Sequence, residues 1–113
     1  MKVIDVKGSY DNETDMYIAK FSYNVIDSEV KGRTPNTKAL KSVIGTVRAI
    51  EHAIQYCTVV AGSDFEIHHH CKDINKILQD GYKSSYPEIT HARTFLKPYK
   101  RQIKYKGDDT NEE

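Results

Sequence analysis

From Met16 to Ile26 the chain reads MYIAKFSYNVI. Tyr17, Ala19, Phe21, Tyr23 and Val25 share one parity, and Lys20, Ser22 and Asn24 share the other. Period two over that length describes a strand with one face buried and one face wet. The stretch before it, Lys2 to Val6, is apolar and β-branched enough to be a second strand. Between them lies SYDNETD, rich in the Ser, Asp and Asn that make turns. The two runs form a hairpin, with Lys7 where the first strand opens into its turn. A short third strand is expected near Ser28 to Lys31. Gly32 and Pro35 then break the chain.

Past this break the period changes. Leu40, Val43, Ile44, Val47, Ile50, Ile54 and Cys57 recur at spacings of three and four, which is one apolar stripe on a helix over Thr37 to Cys57. Asn36 or Thr37 can cap its start. FEIHHH, Phe65 to His70, reads as a strand. KDINKILQDG reads as a short helix with Ile74, Ile77 and Leu78 on one face and Gly81 as its stop. A further helix is expected from Glu88 to Arg101, ended or kinked by Pro98. QIKYKG alternates as a last strand, and DDTNEE is an acidic end. Hairpins first and strand–helix–strand units after them predict an α/β mixed sheet with helices packed against it. We read one domain over 1–106 and an acidic tail over 107–113.

Parity adds a prediction about the two faces of that sheet. Ile4, Val6, Phe65, Ile67, Ile103 and Tyr105 fall on one parity of their strands. Asp5, Lys7, Glu66, His68, His70, Lys104 and Lys106 fall on the other. Strands covered on both faces read as nearly continuous apolar runs. These do not, so the helices are expected on one face and the other is expected to be polar and open.

Composition narrows the classes. With 29% charged residues and 38% hydrophobic ones, the chain of 113 residues reads as soluble and folded. No apolar run approaches the roughly 20 residues that span a bilayer, and MKVIDVKG has no signal-peptide core. A cytoplasmic protein is expected, in the host cytoplasm if the source is viral. Two cysteines, Cys57 and Cys71, are too few for a disulfide framework and are read as free thiols. A formal net charge of +1 gives little global attraction to nucleic acid.

The element order, with four local motifs, resembles the ribonuclease H-like family, and most closely its bacterial and viroplasmin-type branch. VKGSYDNETDMY is similar to that family's first strand and turn. GRTPNTKALKSVIGTVRAIEHAIQYC resembles its Pro-containing loop and first helix. FEIHHHCKDINKI is similar to a later strand and helix, and IKYKGDDTNEE to the last strand and the start of the final helix. The resemblance implies a five-stranded mixed sheet. It also implies four carboxylates that hold two Mg²⁺ ions, hard cations that take oxygen ligands. The first of these carboxylates falls on Lys7, the second on Thr46 after Gly45, and the third on His70. The fourth falls just beyond Glu113. On this reading the site is degenerate at Lys7, Thr46 and His70, the final helix is missing, no cofactor is expected, and the chain is not an enzyme.

Two other features carry chemistry. His68 and His70 share a strand face and, with Cys71, are weak candidates for a metal. A nuclease rebuilt around these three is the alternative from another class. From Arg93 to Lys106 the chain carries Arg93, Lys97, Lys100, Arg101, Lys104 and Lys106 with no acid among them, interleaved with Tyr99 and Tyr105. That pattern fits a phosphate-binding stripe for RNA or an RNA–DNA hybrid. It also fits a solvated helix face and an edge strand guarded by lysines.

The leading expectation is a non-catalytic binding module. It would act as an accessory or regulatory factor of the kind phages encode, through protein–protein contacts that include a homodimer across the open face or an open sheet edge.

Overall fold

The structure is a computed structural model that describes residues 2–23, 26–33, 43–60, 64–84 and 86–107. Its five strands lie in the order β3-β2-β1-β4-β5. They are β1 (Lys2–Asp11), β2 (Met16–Tyr23), β3 (Ile26–Gly32), β4 (Phe65–His69) and β5 (Ile103–Tyr105). β1, β2 and β3 pair antiparallel, while β4 pairs parallel with both β1 and β5. The sheet is mixed, as the element order predicts.

β1 is longer than its β-branched core. It continues through Lys7, Gly8, Ser9 and Tyr10 to Asp11, paired with β2 along the way. Lys7 therefore lies inside a strand, opposite Lys20, and not at the mouth of a turn. The turn itself is only Asn12 to Asp15, closed by the Asp15 amide donating to the Asp11 carbonyl at 2.8 Å. Asp15 takes a positive φ of 59°, which an Asp tolerates better than most residues. Tyr10 donates its hydroxyl to the Asp15 carboxylate, and this contact pushes the phenol up to about 12.

The helices are α1 (Ile44–Val60), α2 (Asp73–Leu78) and α3 (Pro87–Leu96), followed by a 3₁₀ helix over Lys97–Gln102. α1 buries Ile44, Val47, Ile50, Ile54 and Cys57, the stripe expected of it, and also Ala49 and Ala53. Burial pushes the Cys57 thiol up to about 11. The expected start of this helix, its Asn36 or Thr37 cap, Pro35 and the acidic tail beyond Gly107 lie outside the described residues. α2 ends at Leu78, and Gly81 supplies the positive φ of 82° in the turn behind it. Pro98 acts as expected: α3 ends at Leu96, two residues before it and short of Arg101. It lacks the amide for an α-helical bond, and the chain tightens into 3₁₀ geometry from Lys97.

The core lies between the helices and one face of the sheet. Ile4, Val6, Ala19, Phe21, Phe65, Ile67 and Ile103 supply the strand side of it. Tyr56 of α1 packs on Phe21 and Tyr23 of β2 at centroid distances of 5.5 and 6.2 Å. At the far end, Tyr99 joins Phe65 and Phe95 at 6.3 and 6.1 Å.

One contact sets the depth of α1 against β1. A Cβ built on Gly8 would lie 1.9 Å from the Thr46 backbone nitrogen, and one on Gly45 would lie 2.6 Å from the Ser9 backbone nitrogen. Both neighbours are backbone, so nothing there can swing aside. Two glycines let the first turn of the helix touch the strand.

Candidate nucleic-acid interface

Strand alternation sends Ile4, Val6 and Gly8 toward α1 and leaves Val3, Asp5, Lys7 and Ser9 on the opposite face. The pairing carries this face across the sheet. Asp27, Ser22, Asp5, His68 and Lys104 form one cross-strand row. Glu29, Lys20 and Lys7 form the next. The Lys106 amide donates to the His69 carbonyl at 2.8 Å, which brings Lys106 beside the end of β4. The open polar face expected from parity is thus a continuous surface, with β2, β1, β4 and β5 each contributing a cation or an imidazole.

Its acids are held by neighbours. His68 Nε2 lies 3.0 Å from Glu66 Oε1, and this hydrogen bond, with Lys104 and Lys106 close by, holds the Glu66 carboxyl below the usual range. Glu29 faces two ammonium groups, with Lys20 and Lys31 each at 3.6 Å. His70 bridges two segments: its Nε2 lies 2.9 Å from Asp5 Oδ1, and its Nδ1 lies 2.9 Å from the Gly107 carbonyl oxygen. A carboxylate and a carbonyl only accept, so both ring nitrogens carry hydrogen when both bonds are made.

His69 points the other way, as strand parity requires. It is fully buried, its ring lies 5.6 Å from Tyr105, and its Nε2 finds no hydrogen-bond partner. Its Nδ1 accepts from the Cys71 amide at 3.3 Å, which uses the neutral ring. Burial, helped by the charge of His70, brings its pKa down to about 4.

The basic residues between 93 and 106 do not form one stripe. Arg93 donates from Nε to the Ile77 carbonyl at 3.0 Å and from Nη2 to the Gln79 carbonyl at 2.8 Å, so its guanidinium closes the C-terminal end of α2. Lys97, Lys100 and Arg101 stand exposed on the 3₁₀ helix, with Lys100 3.6 Å from Asp80. Lys104 and Lys106 belong to the open face. Reading the sequence alone put Asp5 and Lys7 on the polar parity but did not bring Lys7 and Lys20 together. Their signal was the hairpin register, which places Lys20 opposite Lys7 once the turn is known to span four residues.

The three positions that the resemblance matches to metal-binding carboxylates stand on two sides of β1. Lys7 is on the open face and His70 is engaged there with Asp5. Thr46 is buried on the helical side of β1, against Gly8. An ammonium, a hydroxyl and an imidazole so placed do not fit a pair of Mg²⁺ ions, which need a cluster of oxygen donors. The alternative set also fails to converge, since His68 is turned to Glu66 and His70 to Asp5 and Gly107. Among the described residues, no three His, Cys, Asp or Glu side chains are placed to hold one ion. No helix among them is long and apolar enough to cross a membrane.

Comparison with protein-family models finds no match, and comparison with curated proteins finds none either. Among solved structures, the chain is similar to the crystal structure of RNase H1 from the halophilic archaeon Halobacterium salinarum NRC-1. The TM-score is 0.64 at 13% identity, over 98% of this chain and 89% of that one. This likeness overturns the expectation that the chain is not an enzyme, because the protein whose fold it shares is an RNase H1. The side chains at Lys7, Thr46 and His70 bear on one carboxylate arrangement, and not on whether the chain catalyses a reaction. The fold of this chain is ribonuclease H-like: a mixed five-stranded sheet with helices.

Proposed function

We propose that this chain binds RNA or an RNA–DNA hybrid along the open face of its sheet. The observation that carries the reading is the row of basic groups, Lys20 on β2, Lys7 on β1 and Lys104 on β5, with His70 and Lys106 just past the ends of β4 and β5, on the face that the described helices leave uncovered. Adjacent strands are about 4.8 Å apart, so such a row can follow a phosphate backbone without reading bases. The near-neutral net charge is no obstacle, because Asp5, Glu29 and Glu66 on this face are already engaged by histidine or lysine. The likeness to an RNase H1 supports a nucleic acid as the ligand class.

The test is a filter-binding titration in EDTA with single strand, duplex and hybrid across salt concentration. A steep loss of affinity with salt is expected, with hybrid or single-stranded RNA preferred over DNA duplex. Absent binding at low salt, or a flat slope, would defeat the reading.

A second reading is self-association through the same face, favoured by Val3, which stands there 42% exposed, and by Ile18, which lies opposite Ser9 further along the sheet. Sedimentation at micromolar concentration checks it. A dimer weakened by charge reversal at Glu66 or Lys104 is the expected result, and a monomer at high concentration removes it.

A further inference from the structure

Among the described residues the sheet has two outer edges, β5 and β3. β5 is three residues long, and Lys104 on it and Lys106 just past it carry one sign. Short edges with repeated lysines discourage pairing. β3 is different. It runs from Ile26 to Gly32, and the described residues place a strand, β2, on one side of it only. The backbone amides and carbonyls of alternate residues point to the other side.

The charges on this edge have an order. Asp27, Glu29 and Lys31 lie opposite Ser22, Lys20 and Ile18 of β2 and share the open face with them. Arg33, the next residue of that parity, follows just past the strand and is exposed. Along the edge the signs run minus, minus, plus, plus, with Val30 at the midpoint. An antiparallel copy laid beside β3 with Val30 opposite Val30 sets Asp27 against Arg33 and Glu29 against Lys31, each twice. Sliding the copy by two residues, the smallest step that keeps the faces matched, puts Glu29 opposite Glu29 or Lys31 opposite Lys31. Charges on an edge ordinarily keep copies apart. In this one register they do the reverse.

The side chains are able to change partners. Glu29 and Lys31 are 44% and 53% exposed, and their contact within the chain, at 3.6 Å, is of the weak surface kind. Asp27 accepts from the Ser22 hydroxyl through one carboxylate oxygen, at 2.7 Å. On the helical side Val30 is half-buried opposite the buried Ala19, so a second Val30 would cover more of it.

We infer that the β3 edge pairs with the β3 edge of a second copy of this chain, antiparallel about Val30, into a sheet continuous through both. Matched residues keep their faces, so the two-fold axis is normal to the sheet and both open faces lie on the same side. The pairing does not depend on what the open face binds.

The experiment is sedimentation of the full chain from micromolar to millimolar concentration. It compares wild type with Glu29→Lys, Lys31→Glu, the exchange of both, and Glu66→Lys on the open face. Wild type is expected to dimerise. Either single reversal sets like charges opposite each other twice and is expected to weaken the dimer at least about tenfold. The exchange of both restores opposite charges and is expected to restore the dimer. An equal mixture of the two single variants is expected to form a heterodimer, since the acids of one face the lysines of the other. That arm also shows that each single variant is folded. Glu66→Lys is expected to change nothing.

A wild type that stays monomeric throughout overturns the inference. So does a dimer that both single reversals leave intact, and so does a mixture of folded single variants that stays monomeric. A dimer lost on Glu66→Lys and kept in the single reversals overturns it too and assigns the contact to the open face. Hybrid binding is read separately, so failure of the nucleic-acid reading and failure of this one are told apart.

Discussion

His69 shows how much turns on one residue's face. Its neighbours His68 and His70 reach the open side and engage carboxylates, whereas His69 is fully buried with one ring nitrogen unsatisfied. The neutral ring is the form this site accepts. Its folded-state pKa is depressed to about 4 from 6.5, so the unfolded chain binds the proton first as pH falls. Stability is therefore whole above about pH 6.5 and is lost as pH falls toward 4. The loss totals about 3 kcal/mol at 1.36 kcal/mol per pKa unit. His69→Phe keeps the ring and its contact with Tyr105 and removes the titration. Urea unfolding at pH 7 and pH 4.5 should show wild type losing clearly more stability than the variant, and equal losses would refute the assignment. Alternation alone assigned His69 to the face opposite His68 and His70. That it is also buried and only half hydrogen-bonded depends on Tyr105 and the helices above it, which no local pattern reveals.

Individual elements were legible where their own side chains decide them. The alternation of β2 and the apolar stripe of α1 are such cases, although β2 ends at Tyr23 and Ile26, expected in the same strand, opens β3 instead. β1 was legible only to Val6, because Lys7 to Asp11 has polar side chains and a glycine, which argue for a turn. What keeps that half in the sheet is tertiary: β2 pairs along it, and the first turn of α1 rests on Gly8. Gly8→Ala would drive a methyl into the Thr46 backbone, and Gly45→Ala would drive one into Ser9. Each should cost about 3 kcal/mol or more in denaturant unfolding. The pair together should cost less than the sum, since one shift of α1 relieves both. A loss below about 1 kcal/mol for Gly8→Ala would show that the close approach is not made. Arg93 marks the limit from the other side. Its charge reads as part of a basic stripe, but its partners are carbonyls of Ile77 and Gln79, which sequence position does not disclose. Arg93→Ala should destabilise the protein by about 1 to 3 kcal/mol. It should leave the salt slope of hybrid binding unchanged, and a lowered slope would return Arg93 to the binding surface.

At the scale of the molecule, the pattern of the strands predicted both the mixed sheet and its division into a helical face and a polar face. What it could not give was the lateral order of charges on the polar face, because that order is set by strand register. Register brings Lys7 opposite Lys20 and Asp5 opposite His68. It also separates Lys104 and Lys106 from the cations of the 3₁₀ helix. Two surfaces thus compete as the place where a nucleic acid would lie: the open sheet face, and the exposed Lys97, Lys100 and Arg101. The measurement that decides between them is an NMR titration of the labelled protein with RNA–DNA hybrid, followed through backbone amides and lysine side chains. The account predicts shifts concentrated at Lys7, Ser9, Lys20, His68, Lys104 and Lys106, with the helical side unmoved. Shifts centred on Lys97, Lys100 and Arg101, with Lys7 and Lys20 silent, would contradict it.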